Sequence, residues 1–506
     1  MPLADFHFRN CVFVFSDISA QLAANYVRLF TMSSDRWLFN SSILFSNVDF
    51  SATAASAVAD LLLVSTETLS NSSIVLDRVH AKLNATSGGN GARTYVLLCA
   101  SQLRAASAIV VRDSHFTMLA SQLSTVVKMY GASVLDGSSV TIENVTAVAH
   151  SAEDSCLFYH EDHGTIDASA SLQIDIVNFD CAAHGSAALL TMDHTSILTD
   201  NISIQNATFH GISLTGQASL FSYTGMSNLG ALVARGIHAT LRSSSGSDAV
   251  MLKVEDAGAG GSRSGTVSIS DVHVANAAAA YRAAPLILTD ANGLAITLSN
   301  ITFAAHSREP TAELSTSVDP SALFAFSDVT NTVLMVSDCS FALNTSNGTS
   351  AFVGIAKTST NNMFYFSSSN VAQLNSSLGN TAWVLFRDGS ATTNTSVGLE
   401  GTTRAGNLSA VVLVEPSASF SLTEIEVAKT SIISSFTSSS SSISPDANAL
   451  APVATIVEAP FSPALAIELD GVRVETTADA PPMLCSIAKL SSNVSLTMQD
   501  VELQCT

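Results

Sequence analysis

Charge is what this sequence has least of. Only 12% of its 506 residues are Asp, Glu, Lys or Arg, 47% are hydrophobic, and mean hydropathy is +0.35. A membrane span would be one use of such a composition. No apolar run, however, reaches the about 18 residues that crossing a bilayer requires. Basic residues are scarcer still: 21 Lys and Arg stand against 42 Asp and Glu, for a net charge of −21. That balance excludes nucleic acid and anionic membrane as direct partners, since no basic cluster or basic amphipathic helix offsets it. Seven Cys are an odd count at low density, so disulfides do not build the fold. Cys11 and Cys339 read as small buried hydrophobes. Cys156 with Cys181, and Cys485 with Cys505, are the pairs that a disulfide could join. The 3.6-residue apolar period of a helix is missing too.

What is present is repetition. In residues 294–303, Ile296 and Leu298 alternate with Thr297 and Ser299. Asn300 follows, and the alternation resumes one residue out of phase at Ile301 and Phe303. Period-2 alternation marks a strand with one buried face. Asn tolerates the left-handed backbone of a sharp corner. Copies run from Phe6–Phe13 to Leu496–Leu503, mostly about 30–35 residues apart, the range of solenoid repeats. The corner column reads Asn10, Asn47, Asp113, Asn144, Asn206, Asp271, Asn300, Asp338 and Asp500, with Gly236 and Gly471 as substitutes. Arg78, Ile176 and Glu424 interrupt it. The last position of the cassette is apolar (Phe50, Phe116, Phe179, Phe209, Phe303, Phe341) and the one before it polar. A second strand precedes most copies, as in Tyr95-Val96-Leu97-Leu98 and Leu189-Leu190-Thr191-Met192.

Three short strands and a variable loop per repeat predict an all-β chain. The fold expected is a single-stranded right-handed parallel β-helix of about fifteen rungs, continuous over residues 1–506. One rung alone cannot hold together. Its inward side chains contribute roughly 1.5–3 kcal/mol each, while ordering its backbone costs roughly 1–2 kcal/mol per residue. The chain starts and stops close to its outermost cassettes. It therefore reads as a piece of a longer protein whose flanks carry a signal peptide, any membrane anchor and the end caps.

Asn-X-Ser/Thr sequons stand at Asn40, Asn71, Asn84, Asn201, Asn344, Asn347, Asn375, Asn394, Asn407 and Asn493, and suggest a glycosylated, extracellular or cell-surface protein. Asn144, Asn206 and Asn300 match as well, but as corner residues they are expected to face the interior. The richest polar cluster is His150, Glu153, Asp154, His160, Glu161, Asp162, His163, with Asp193 and His194 one repeat on. Acidic residues follow the upstream strand in many repeats: Asp162, Asp193, Glu255, Asp290, Asp328, Asp388, Glu415, Glu458. Calcium could bridge such a column; solvation at a turn is the default, and no cofactor is expected. His80 with His115, and His238 with His273, would stack on consecutive rungs.

The cassette resembles the pectin-lyase-like superfamily, including the Asn ladder at one turn. That resemblance implies a parallel β-helix and, as one option, a polysaccharide lyase or glycoside hydrolase. The chain departs from the enzymes of that superfamily in having no Asn-Thr-Asp, no Arg-Ile-Lys and no Gly-His-Gly, the nearest approach being Asp162-His163-Gly164. No catalytic residue and no metal ligand is nominated. In its low charge and Ser/Ala/Thr-rich style the chain also resembles membrane-associated surface proteins of kinetoplastid protists. The function expected is a non-enzymatic surface protein, structural, adhesive or carbohydrate-contacting. Carbohydrate or surface proteins are its expected partners.

Overall fold

The structure is a computed structural model. It describes residues 8–55, 57–85, 91–199, 201–244, 248–257, 265–279, 282–307, 321–345, 350–368, 370–376, 381–387, 389–401, 403–405, 410–414, 418–421, 423–429, 431–434, 452–456, 465–470, 472–476, 483–487 and 494–505. The chain is an all-β parallel β-solenoid, with no helix among the described residues. None of them forms a helix long and apolar enough to cross a membrane. The chain divides into two compact units: unit 1 is Met1–Ser245 with Glu255–His273, and unit 2 is Gly246–Val254 with Val274–Thr506.

In unit 1 the first apolar residue of each cassette stacks on the next: Phe13, Ile43, Ile74, Ile109, Val140, Leu172, Ile202, Leu232. Past the corner, Phe50, Ala81, Phe116, Ala147, Phe179, Phe209 and Ala239 form a second buried column. Large rings share this column with alanines, so no two Phe compete for one volume except Phe179 and Phe209, which stack 5.9 Å apart. Gly211 makes room there, since a Cβ on it would lie 2.7 Å from the Phe209 ring.

Unit 2 repeats the scheme through Ile296, Leu334, Phe364, Val397, Ile425, Ile467 and Leu496. Its interior holds a cluster of aromatic rings. Phe324 meets Phe341, Phe352 and Phe366 at 5.3, 5.3 and 4.9 Å, and Trp383 lies 5.6 Å from Phe352.

The corners carry the left-handed backbone. φ is 53° at Asn47, 50° at Asp113 and Asn144, 51° at Asn206, 54° at Asp271, 51° at Asn300, 55° at Asp338 and 50° at Asp500. Arg78 and Ile176 adopt it as well (53° and 51°), so the stack imposes the bend even where the residue resists it. Two register expectations are corrected. Asn10 (φ 54°) turns a different corner, beneath Asn40, and the residue that stacks under Asn47 is Asp17 (φ 53°). Glu424 lies within a strand, and the corner of its rung is Lys429 (φ 50°). The corner side chains are exposed, not interior, Asn144, Asn206 and Asn300 included. They hydrogen-bond along the stack on the solvent side. Asn47 Nδ2 donates to Asp17 Oδ1 (3.1 Å), and Asn144 Nδ2 to Asp113 Oδ1 (2.6 Å). Asn206 Nδ2 reaches Asp175 Oδ1 (2.9 Å), because the side chain stacked beneath it, Ile176, offers no acceptor.

A second ladder occupies the corner before this one. Asn40 Nδ2 donates to Asn10 Oδ1 (2.6 Å) and Asn71 Nδ2 to Asn40 Oδ1 (2.9 Å) in unit 1. In unit 2 Asn331, Asn361 and Asn394 continue the pattern at 3.0, 3.2 and 2.9 Å.

Candidate functional site

The strands upstream of the cassettes break strict alternation. Each holds two consecutive inward residues: Leu61-Leu62, Val96-Leu97, Val126-Val127, Leu157-Phe158, Leu189-Leu190, Leu220-Phe221, all buried. Two inward residues in a row bend the strand, as a bulge does. The residues before and after the doublet then share the outer, concave side. In unit 1 one outer column is Asp60, Tyr95, Thr125, Cys156, Ala188, Ser219. The other is Leu63, Leu98, Lys128, Tyr159, Thr191, Ser222.

These columns gather the chemistry of unit 1. Arg28 pairs with Asp60 through Nη2–Oδ2 (2.5 Å) and Nε–Oδ2 (3.0 Å), and the Tyr95 amide donates to Asp60 Oδ1 (3.1 Å). Burial nevertheless pushes the Asp60 carboxyl up, to about 6, against the pull of Arg28. Lys128 is buried, yet its Nζ lies 2.6 Å from Glu161 Oε1. Three rings surround that ammonium, Tyr159 at 4.8 Å, Tyr95 at 5.7 Å and Tyr130 at 5.8 Å. Cation–π attraction and one carboxylate together compensate its desolvation. Burial and a hydrogen bond to Glu161 push the Tyr159 hydroxyl well above its ordinary value. Burial takes Tyr95 to about 12.

At the third corner the chain turns through Gly131, Asp162 and His163, His194, Gly225 and Asp256, all at positive φ. His194 Nδ1 is 2.7 Å from Asp193 Oδ1, and the His163 and His194 rings lie 5.7 Å apart.

The polar cluster expected from the sequence is therefore split. Glu161, Asp162, His163, Asp193 and His194 come together. Asp154 instead accepts from the Ser186 amide (2.6 Å). His160 points inward and is fully buried, with Nδ1 against Thr195 Oγ1 (2.8 Å) and Nε2 against the Ala132 carbonyl (3.0 Å). Burial pushes its pKa down to about 4, so it is neutral at pH 7. The sequence reading missed Lys128, Tyr130 and Tyr159. The signal was there: an apolar doublet flanked on both sides by residues that a core strand would not choose.

The sequons have a structural origin in part. Asn40, Asn71 and Asn394 (φ 46°, 47°, 46°) are corner residues, and Nδ2, the atom a glycan would take, serves the ladder. The residue after the corner turns inward and closes the backbone. Ser41 Oγ accepts from the Cys11 amide (3.0 Å), Ser72 Oγ from Ser41 (3.2 Å) and Ser107 Oγ from Ser72 (3.1 Å). Asn84 is half-buried, with Oδ1 unpartnered; Asn344 is half-buried and Asn201 exposed. Asn375 lies in the strand Asn370–Ser376. Asn347, Asn407 and Asn493 lie outside the described residues, as do Gly471, Asp388, Glu415 and Glu458.

In the acidic column, Asp328 pairs with Lys357 (3.1 Å) at the third corner of unit 2. The ring centroids of His80 and His115 are 6.3 Å apart, those of His238 and His273 6.0 Å. Cys156 and Cys181 are buried free thiols, not a disulfide, and burial raises the pKa of both. Cys11 is half-exposed, whereas Cys339 is buried.

No family model and no curated protein matches the chain. A solved structure, that of the PL6 family alginate lyase AlyGC, aligns over 99% of this chain and 96% of that one, with 7% identity and a TM-score of 0.16. So low a score carries no argument.

Proposed function

We propose that this is a non-enzymatic surface repeat protein, extracellular and membrane-associated, whose unit 1 binds carbohydrate on the outer face around Tyr130. The observation that carries the reading is the Tyr130 ring, 49% exposed, beside the buried Lys128–Glu161 pair and in the row that continues to Glu161. An exposed ring on a rigid strand stacks on the C–H face of a sugar, and neighbouring carboxylates accept from its hydroxyls. The net charge of −21 favours neutral or amino sugars over polyuronates. On this reading the chain is a relative of the pectin-lyase-like superfamily, in the style of kinetoplastid surface proteins, that uses the fold as a scaffold.

Three features support binding without turnover. Glu161 is engaged by Lys128; the Tyr159 pKa is raised, away from a general base; and His160 spends both ring nitrogens inside. The enzyme alternative, a polysaccharide lyase or hydrolase, has one observation in its favour, the Asp193–His194 pair. Glycan-array binding with a polysaccharide degradation assay separates the two. Saturable binding without product, weakened at least about tenfold by Tyr130→Ala, is expected. Product formation abolished by His194→Ala would establish the enzyme; binding indifferent to Tyr130→Ala would sink the proposal.

A further inference from the structure

We infer that His163 and His194 form a site for a transition-metal ion of the Zn2+, Ni2+ or Cu2+ class, with Asp193 as a positioning residue. Both histidines sit at left-handed corner positions (φ 58° and 48°), so the turn of the solenoid holds their backbones. Their ring centroids are 5.7 Å apart with planes at 71°. An ion at about 2.0–2.1 Å from one nitrogen of each ring, seen at a tetrahedral angle, would place the centroids about 5 Å apart. A small side-chain rotation closes that difference.

The Asp193–His194 contact of 2.7 Å is the second element. With Nδ1–H donated to the carboxylate, Nε2 keeps its lone pair, the arrangement by which an outer carboxylate orients and strengthens a metal-binding imidazole. Gly225 is the third. A Cβ at that position would lie 2.8 Å from His194 Cδ2, 2.9 Å from Nε2 and 3.0 Å from Cγ, so glycine lets the turn pack against the face of that ring and hold its orientation.

The other two pairs provide controls within the same molecule. Their centroids are farther apart, 6.3 Å for His80 with His115 and 6.0 Å for His238 with His273. Neither pair has a histidine–carboxylate ion pair among the described residues. No group of three or more His, Cys, Asp or Glu side chains is placed around one point among them either. The protein thus supplies two imidazoles, and water fills the remaining positions. Such a site binds at micromolar strength and does not hold the fold together.

The test is calorimetric titration of the full chain with ZnCl2, no sugar being present, so that its failure and that of the carbohydrate reading are separate. Saturable binding is expected, with His163→Ala and His194→Ala each abolishing the tightest event. Asp193→Asn should weaken it about 10–100-fold, the usual effect of removing an orienting carboxylate. His115→Ala and His273→Ala should leave it in place. His194 is 55% exposed, so its replacement spares the fold, and circular dichroism verifies this. Absence of saturable binding below millimolar zinc, or binding indifferent to His194→Ala, overturns the inference.

Discussion

The outer columns of the two units have the same backbone pattern and are filled differently. Where unit 1 places Asp60, Tyr95, Thr125 and Cys156 before its inward doublets, unit 2 places Val250, Ala284, Ala322, Ala351 and Ala382. Where unit 1 places Lys128, Tyr159 and Thr191 after them, unit 2 has Lys253, Ile287, Ala325, Gly354 and Leu385. In unit 2 most of these residues form a small apolar cluster, flanked by Arg282 and Arg387 around a shallow depression. The bend is a property of the stack; what fills its concave side is a local choice. Small apolar residues there act as packing, whereas Lys128, buried there, has a carboxylate and three aromatic rings around it.

Moving the chemistry from one unit to the other should be costly. Leu385→Lys sets an ammonium at the position in its strand that Lys128 holds in unit 1, at a fully buried site. We expect a loss of about 4 kcal/mol or more, read from denaturant midpoints. Lys128→Met should cost about 2–3 kcal/mol, less than the roughly 3–5 of a fully buried pair, because the Glu161 side chain is 19% exposed. Lys128→Met with Glu161→Leu should restore most of that loss; a double variant as weak as the single one would contradict the pairing argument. Ile176→Asn should stabilise unit 1 by about 1 kcal/mol, since a β-branched residue there holds a left-handed backbone. A loss of stability would mean that the ladder does not govern that corner.

The smallest effect is one of pH. His160 is neutral when folded because burial lowers its pKa to about 4. Below its ordinary value it takes up a proton only on unfolding, so stability falls as pH drops from about 6.5 to 4. Asp60, raised to about 6, works the other way, and stability falls as pH rises from about 4 to 6. In the parent the two slopes oppose each other. His160→Gln removes the first. It should be less stable than the parent at pH 7 by the lost hydrogen bonding, with the gap narrowing toward pH 4. Thermal melts at half-unit intervals would reveal a gap of constant width if His160 were charged in the fold.

The parity of the strands was legible in the sequence because a half-buried strand repeats every two residues, and Phe50, Phe116, Phe179 and Phe209 keep that phase. The corner at Asn47, Asp113, Asn144 and Asn206 was legible because few residues tolerate its backbone. Arg78 and Ile176 hid two turns of it, since neighbouring rungs can impose a conformation that a residue does not favour alone. The Asn40–Asn71 corner was read as sequons: an Asn that bends the chain two residues before the Ser42 or Ser73 that opens the next strand spells the same tripeptide. The outer site was hidden for a different reason. Tyr95-Val96-Leu97-Leu98 looks like a continuous core strand, and only three-dimensional bending turns Tyr95 outward, beside Lys128.

In-register stacking of the rungs is most directly tested by cross-linking. Thr146 and Asn178 are Cα partners on adjacent rungs. At the roughly 4.8 Å of neighbouring strands they fall inside the span of a disulfide, about 4.4–6.8 Å. The variant Thr146→Cys with Asn178→Cys is predicted to oxidise to an intramolecular disulfide, identified by peptide mass mapping. Thr146→Cys with Asp180→Cys, two residues out of register, should remain reduced under the same conditions. The reverse outcome would contradict the account.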